Sequence, residues 1–372
     1  MENLTIMQEQ LQGYAALPDD APYGMTGAFY TSQDFFEWEK KTVLQQAWHC
    51  LGRADEIPEV GDFYTLTLLD EPLLIVRETS DTVQVLSNVC RHRGMPVALG
   101  EGNAKRFVCT YHAWTYGLDG DLLRSARMRN TDFDAEKCGL PKFACTVLNG
   151  FIYASLSDNP APLEEQLEGL NTLIAPYEPA KFRLVHQAAE VWNTNWKCLV
   201  ENFMEGYHLS VVHPQTLHGY TPTGLSRKGP SGDSFTSYFA NYPDQATPRG
   251  HGATELSDEE RRRSTLFSVF PAQVASVAAS LLVSLSLLPL AADKVMVRWT
   301  LSAYGDDLDD DTLASRITLW NEVNREDREK LEFMQTALSS KHAIGGPLAE
   351  GDYEGTVRDF QTWLAVQARL NS

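Results

Sequence analysis

The sequence predicts an α+β chain, with a small all-β domain placed ahead of a larger domain of mixed helices and strands. Three observations predict it. Between Asp62 and about Ser155, short runs rich in β-branched and aromatic residues alternate with turn signals at Gly117-Leu-Asp-Gly120 and Leu148-Asn-Gly150. Beyond Pro160-Ala-Pro162, helical and strand patterns mix. Late in the chain, a charged helical pattern runs from about Asp311 to Ser340. A length of 372 residues fits two domains or three.

The elements follow in order. Residues 1–45 read as a helical segment after a loose start, packing on the large domain, with Ser32 as a helix cap before Gln33-Asp-Phe-Phe-Glu. Residues 46–160 form the β-domain, with strands in FYTLTLL, PLLIVRE, TVQVLSNV, RFVCTY, WTYGLDGDLL and TVLNGFIYASL. Residues 161–372 form the large domain. It opens with a helix near Leu163–Tyr177, a strand near Leu184–Trp192 and a helix over Trp196–His208. A loop-rich stretch from Pro214 to Arg263 precedes strands over Leu266–Ser302, then the long helix and a short last helix over about Tyr353–Leu370.

Lys and Arg total 31 and Asp and Glu total 50, so the formal charge is 31 − 50 = −19. Such a field does not draw the chain to nucleic acid or to an anionic membrane. The stretch Ser264–Ala292 carries no charge, but its prolines, serines and partial alternation read as buried strands and not as a membrane span. The first 20 residues show no basic and apolar leader pattern, so the cytoplasm is the expected compartment. Six cysteines in a chain of this length are not a disulfide framework.

Two of them stand beside histidines. Cys90-Arg-His92 and Cys109-Thr-Tyr-His112 lie at predicted strand ends, with 16 residues between His92 and Cys109. Two tips of this kind can face each other over one inorganic centre. Structural Cys₂His₂ zinc is one reading. A Rieske [2Fe–2S] centre, in which two His replace two Cys on one iron, is the other. The short Cys-to-His spacing in a β-domain favours the Rieske centre, with Cys90 and Cys109 on one iron and His92 and His112 on the other. The other four cysteines read as small buried residues.

A second constellation is Glu205-Gly-Tyr-His208 followed by Val-Val-His213-Pro. Two His and a carboxylate make the facial triad of non-haem Fe(II) enzymes, which leaves positions open for O₂ and substrate. The plain alternative is two unrelated histidines. On the long helix, Trp320 and Val323 continue through Leu331, Met334 and Leu338 as an apolar stripe, and Asp327 fills its gap. An acid within a buried stripe is costly unless it is paired or binds metal, so Asp327 is the expected third ligand. A buried ion pair to an arginine is the alternative. Glu322, Glu326, Glu329 and Glu332 lie off the stripe or at its edge and read as a solvated face. Glu205, three residues before His208, shares its face if the segment is helical, and can accept from the ring's free N–H.

These residues together resemble the catalytic α-subunits of Rieske non-haem iron oxygenases, the ring-hydroxylating oxygenases. The resemblance runs from Phe29-Tyr-Thr-Ser to the helix Glu326-Asp-Arg-Glu-Lys-Leu-Glu-Phe-Met-Gln335, which carries the family's Glu-Asp-x4-Glu-x2-Gln pattern. It implies a Rieske β-domain joined to a helix-grip catalytic domain, an antiparallel sheet wrapped around a helix. It implies a [2Fe–2S] cluster at Cys90, His92, Cys109 and His112, and mononuclear Fe(II) at His208, His213 and Asp327. It also implies a homotrimer, or a multiple of one, in which Glu205 bridges His208 and a neighbour's His112. Electrons come from NAD(P)H through a separate flavin reductase, sometimes by way of a ferredoxin. No Gly-x-Gly-x-x-Gly follows a strand here, so the reductase is expected to be another chain.

With O₂, such a protein hydroxylates or N-demethylates a small organic substrate. Glu at position 205 looks like the branch acting on carnitine and betaines, whereas many aromatic-ring dioxygenases have Asp. Met204, Tyr207, Phe267–Ser284 and the aromatics Tyr220, Phe235, Tyr238, Phe239 and Tyr242 are the expected pocket, suited to an ammonium group by cation–π attraction. The alternatives are an aromatic-ring-hydroxylating dioxygenase and a Rieske electron carrier without oxygenase activity.

Overall fold

A computed structural model describes residues 2–18, 22–128 and 132–371. The β-rich part contains three small antiparallel sheets. Trp48–Arg53, Phe151–Ser155 and Ala144–Leu148 form one. Val83–Ser87, Glu71–Arg77, Asp62–Leu68 and Glu101–Asn103 form the second, in that spatial order. Phe107–Val108, Thr115–Tyr116 and Leu122–Arg124 form the third. Leu74, Val76, Leu86, Val97, Phe107, Trp114 and Tyr116 bury a core that also holds Cys90 and Cys109. Apolar burial of this kind supplies the main driving force and fixes the register, since a one-residue slip would turn these side chains to water.

The large part is built on a seven-stranded antiparallel sheet. Its order is Phe182–Trp192, Lys294–Tyr304, Leu281–Ala291, Gln273–Val277, Arg263–Val269, Phe235–Asn241 and Ser226–Lys228. Every residue of Arg263–Val269 and Gln273–Val277 is buried, which explains why the uncharged stretch looked long enough to span a bilayer. Among the described residues, no helix is long and apolar enough to cross a membrane. Helix Trp196–Phe203 is almost wholly buried and packs against both the sheet and the long helix Asp310–Leu338. The last helix, Gly351–Leu370, lies on strands Ser226–Lys228 and Phe235–Asn241 and seats Phe360 and Trp363 against Phe270. The result is the expected helix-grip architecture.

Several local expectations change. A helix already spans Glu2–Ala15, where a loose start was expected. Met7 and Leu11, one turn apart, are buried, and Gln12 donates to the carbonyl of Ala365 on the last helix at 2.8 Å. Ser32 does cap the next helix, accepting from the Phe35 amide at 3.2 Å. The stretch expected to be loop contains strands Ser226–Lys228 and Phe235–Asn241. On the long helix the buried row leaves Met334, which is 46% exposed, and runs from Leu331 to Gln335 instead. A spacing of four suits the helix. The Gln335 amide is satisfied there, since its Oε1 accepts from the Asn195 amide at 2.9 Å and its Nε2 donates to the Tyr30 carbonyl at 3.0 Å.

Candidate metal centres

Two loops of matching geometry form the first centre. Cys90 donates its amide to Met95 and accepts from Gly94 at its carbonyl, both at 2.9 Å. Cys109 does the same with Trp114 at 2.8 Å and Ala113 at 2.9 Å. In each loop the residue four beyond the cysteine turns left-handed, Gly94 with φ 76° and Ala113 with φ 58°. The histidine stands two residues beyond the cysteine in the first loop, His92, and three beyond in the second, His112. The two Nδ1 atoms meet at 3.1 Å near the surface, and both cysteines lie buried behind them. His92 stacks on Trp114 with centroids 5.0 Å apart.

The buried Tyr116 hydroxyl lies 3.3 Å from Cys90 Sγ and accepts from the Arg91 amide at 3.0 Å. Burial, followed by the thiol beside it, raises its pKa, so the phenol stays neutral beside the Cys90 sulfur. Two paired Nδ1 atoms with two buried free cysteines on the same two loops are a donor set that fits a Rieske cluster.

The second centre joins the end of helix Trp196–Phe203, the turn after it, and the long helix. Among the described residues, His208, His213 and Asp327 form a group that can hold a metal ion, with ligand atoms within 4.8 Å of one another. Asp327 Oδ1 lies 3.7 Å from His208 Nε2 and 3.1 Å from His213 Nε2. His213 Nε2 is buried and makes no hydrogen bond, which fits a ring nitrogen directed at a metal. Asn202 Nδ2 donates to Asp327 Oδ1 at 3.4 Å.

The segment from Met204 to His208 is not helical, contrary to expectation, because the helix stops at Phe203 before Glu205-Gly206. Glu205 still reaches His208, by a different route. Its Oε2 accepts from the amides of Tyr207 and His208, the latter at 3.0 Å, and its Oε1 holds His208 Nδ1. The carboxylate therefore ties the turn and the ring together.

A residue that sequence reasoning set aside belongs here as well. Glu326 was read as part of a solvated face, but its side chain is only 15% exposed. Its Oε2 takes His213 Nδ1 at 2.7 Å and the Thr216 hydroxyl at 2.7 Å. Each histidine thus has one nitrogen facing Asp327 and the other on a glutamate. Burial opposes a charge on His208, and Glu205 and Asp327 outweigh it and raise its pKa. Burial likewise opposes a charge on His213, and Asp327 and Glu326 raise its pKa.

The expected pocket is divided. Met204 is buried at the site, and Tyr238 is buried close enough that, after burial itself, the charges of Glu205 and Asp327 raise its pKa. Tyr207 is 58% exposed, with its ring centroid 6.0 Å from that of Tyr353. Phe235 belongs to a separate core with Phe267 and Val277. Phe239 carries the guanidinium of Arg263 at 3.9 Å. Tyr220 and Tyr242 flank Arg249, so their faces already hold a cation.

Two protein families match this chain. Residues 47–143 match the Rieske [2Fe-2S] domain, and residues 179–369 match the ring hydroxylating alpha subunit (catalytic domain). The chain is 34% identical over 213 residues to a glycine betaine monooxygenase oxygenase subunit of Chromohalobacter salexigens, covering 57% of this chain and 46% of that one. It is 31% identical over 240 residues to a carnitine monooxygenase oxygenase subunit of Escherichia coli K12, covering 60% and 64%. The chain thus spans about half to two thirds of the lengths of these relatives. Among solved structures, a quaternary ammonium Rieske monooxygenase in complex with γ-butyrobetaine superposes with a TM-score of 0.81 at 22% identity, over 97% of this chain and 99% of the other. Naphthalene 1,2-dioxygenase from Rhodococcus sp. bound to indole gives 0.84 at 20% identity, over 98% of each. At such identities these two show a shared fold.

Proposed function

For a chain that belongs to the α-subunit family of Rieske ring-hydroxylating oxygenases, we propose an oxygenase component that oxidises a small quaternary ammonium compound with O₂ and electrons from a separate reductase. Its cofactors are a Rieske [2Fe–2S] cluster and a mononuclear iron. Cys90, His92, Cys109 and His112 would hold the first, and His208, His213 and Asp327 the second. Bound there, the cluster supplies one-electron transfer and the iron activates O₂. In the net reaction one oxygen atom enters a C–H bond of the substrate and the other leaves as water, with two electrons and one proton from NAD(P)H and a second proton from solvent. Hydroxylation of an N-methyl group releases that carbon as formaldehyde.

The protein's own work is orientation and exclusion of water. Glu205 and Glu326 hold the Nδ1–H of His208 and His213, which fixes each tautomer and aims each Nε2 at the metal. Asn202 steadies Asp327. Met204, beside Glu205 in the chain, and Tyr238 are buried, and their role here is to keep water from that side of the site. Glu205 makes no hydrogen bond to His112 of its own chain. Its proposed second role is therefore toward the partner subunit's His112, across a boundary in a homotrimer. A flavin reductase as the electron source, and a cytoplasmic location, belong to the same reading.

The observation that carries the activity is the convergence of His208, His213 and Asp327 within one ligand-sized space. A Rieske electron carrier would have no use for it. The ammonium class draws on Glu205 and on the betaine and carnitine monooxygenase relatives. The test is O₂ uptake and formaldehyde release by the reconstituted enzyme with NADH and a reductase. Betaines and carnitine should stimulate both. Stimulation by aromatic acids alone would move the chain to the aromatic-ring dioxygenases.

A further inference from the structure

Arg249 is 4% exposed, and its Nε and Nη2 have no hydrogen-bond partner. Its guanidinium lies 4.9 Å from the centroid of Tyr220 and 5.6 Å from that of Tyr242. Arg316, on the long helix, covers Tyr220 at 5.6 Å. Six arginines of the described residues are ion-paired: Arg53, Arg227, Arg263, Arg298, Arg325 and Arg328. Arg249 and Arg316 are not among them, in a chain with 50 acidic residues. The nearby Asp307 has its Oδ2 engaged by Ser280, His251 and Gly252.

Aromatic faces offset part of the cost of burying a cation. They leave Nε and Nη2 of Arg249 without an acceptor, and a buried charged donor left so is costly. A planar fork of this kind matches a carboxylate. The arginine is also tied to the metal centre through Tyr220. The amide of Leu217 donates to the carbonyl of His213 at 3.2 Å, and that of Tyr220 to Leu217 at 2.8 Å. These turns place Tyr220 seven residues beyond His213, on the order of 10 Å along a helical path.

We propose that Arg249, with Arg316 behind Tyr220, seats the carboxylate of the substrate. The substrate is then a zwitterion, its methylated ammonium toward the iron and its carboxylate toward Arg249. The proposal rests on the ammonium reading above and narrows it. It also removes Tyr220 and Tyr242 as the ammonium cage, since their cation is the protein's own.

The test is calorimetric binding of γ-butyrobetaine and of its methyl ester to the metal-loaded enzyme. The wild type should bind the zwitterion about 10- to 100-fold more tightly than the ester. Arg249→Gln should lose that preference while binding the ester as before, and Arg249→Lys should recover part of it. A wild type that binds both equally overturns the carboxylate seat and leaves the ammonium reading intact. So does an Arg249→Gln protein that keeps the full preference, which would make the arginine a packing pillar between two tyrosines. If the wild type binds neither compound, the ammonium reading falls and the proposal falls with it. Should Arg249→Gln not fold, the wild-type comparison alone decides.

Discussion

Glu326 accepts the Nδ1–H of His213 at 2.7 Å, while its chain neighbour Asp327 faces Nε2 of the same ring at 3.1 Å. Adjacent helix residues point about 100° apart, so two consecutive acids can reach opposite edges of one imidazole only if the ring lies against the helix. The turn His213-Pro-Gln-Thr216 lies that way, and the Thr216 hydroxyl donates to the same Glu326 oxygen that takes His213. Glu326→Ala should lower mononuclear iron affinity about 10- to 100-fold. Titration of iron-free protein checks this. Unchanged affinity would return Glu326 to the solvated face.

Asp327→Ala should lose mononuclear iron and activity while keeping the visible spectrum of the cluster, because the two centres share no ligand. Cys109→Ala should bleach the cluster and leave the second iron in place. Metal analysis beside absorption spectra separates the two. Full turnover in Asp327→Ala would remove it from the ligand set.

Glu205→Ala, like Glu326→Ala, should weaken mononuclear iron binding, yet with iron in excess both metals stay bound and turnover should nearly stop. Reduction of the cluster by an outside reductase should keep its rate, and cluster reoxidation with O₂ and substrate should slow. Rapid-mixing spectra read both steps. The carboxylate also holds the amides of Tyr207 and His208, so Glu205→Gln, which keeps an acceptor for the turn, is the companion variant. Normal reoxidation in both would leave Glu205 a turn-forming residue.

Glu201 supplies a pH-dependent term in stability. Burial raises its pKa from 4.5 to about 7, although Tyr30 donates to both of its oxygens at 2.9 and 2.8 Å. The folded state then keeps a proton that the unfolded state has released, so stability falls as pH rises from about 4.5 to about 7 and levels off above. Relative to Glu201→Gln, the wild type should lose on the order of 3 kcal/mol across that window. Parallel denaturant titrations at pH 5 and pH 8 measure it, and identical pH slopes in the two proteins would refute it.

The cluster loops were legible in the sequence because their geometry is local. A cysteine, a histidine two or three residues on and a left-handed residue at the fourth place are set by one four-residue turn. Asp327 was legible because helical periodicity names the buried face without knowing what covers it. Periodicity failed one turn later, at Met334 and Gln335. Which residue is buried there depends on whether a partner satisfies the Gln335 amide, and Asn195 and Tyr30 come from remote segments. Glu326 was hidden for the same reason, since only the packing of the His213 turn on the long helix gives that acid a donor. Arg249 had no signal at all, because being unpaired is a property of the whole surrounding fold. The sequence by itself determined the α+β class, the two metal-type constellations and most of the order of elements, carried by short spacings and by hydrophobic period, while the helix-grip form followed from the family resemblance. Tertiary structure alone decided which carboxylates hold the ligand rings, which aromatics already enclose a cation, and where a buried positive charge waits for an acceptor. Those facts depend on distances between segments far apart in the chain, and no local pattern encodes them.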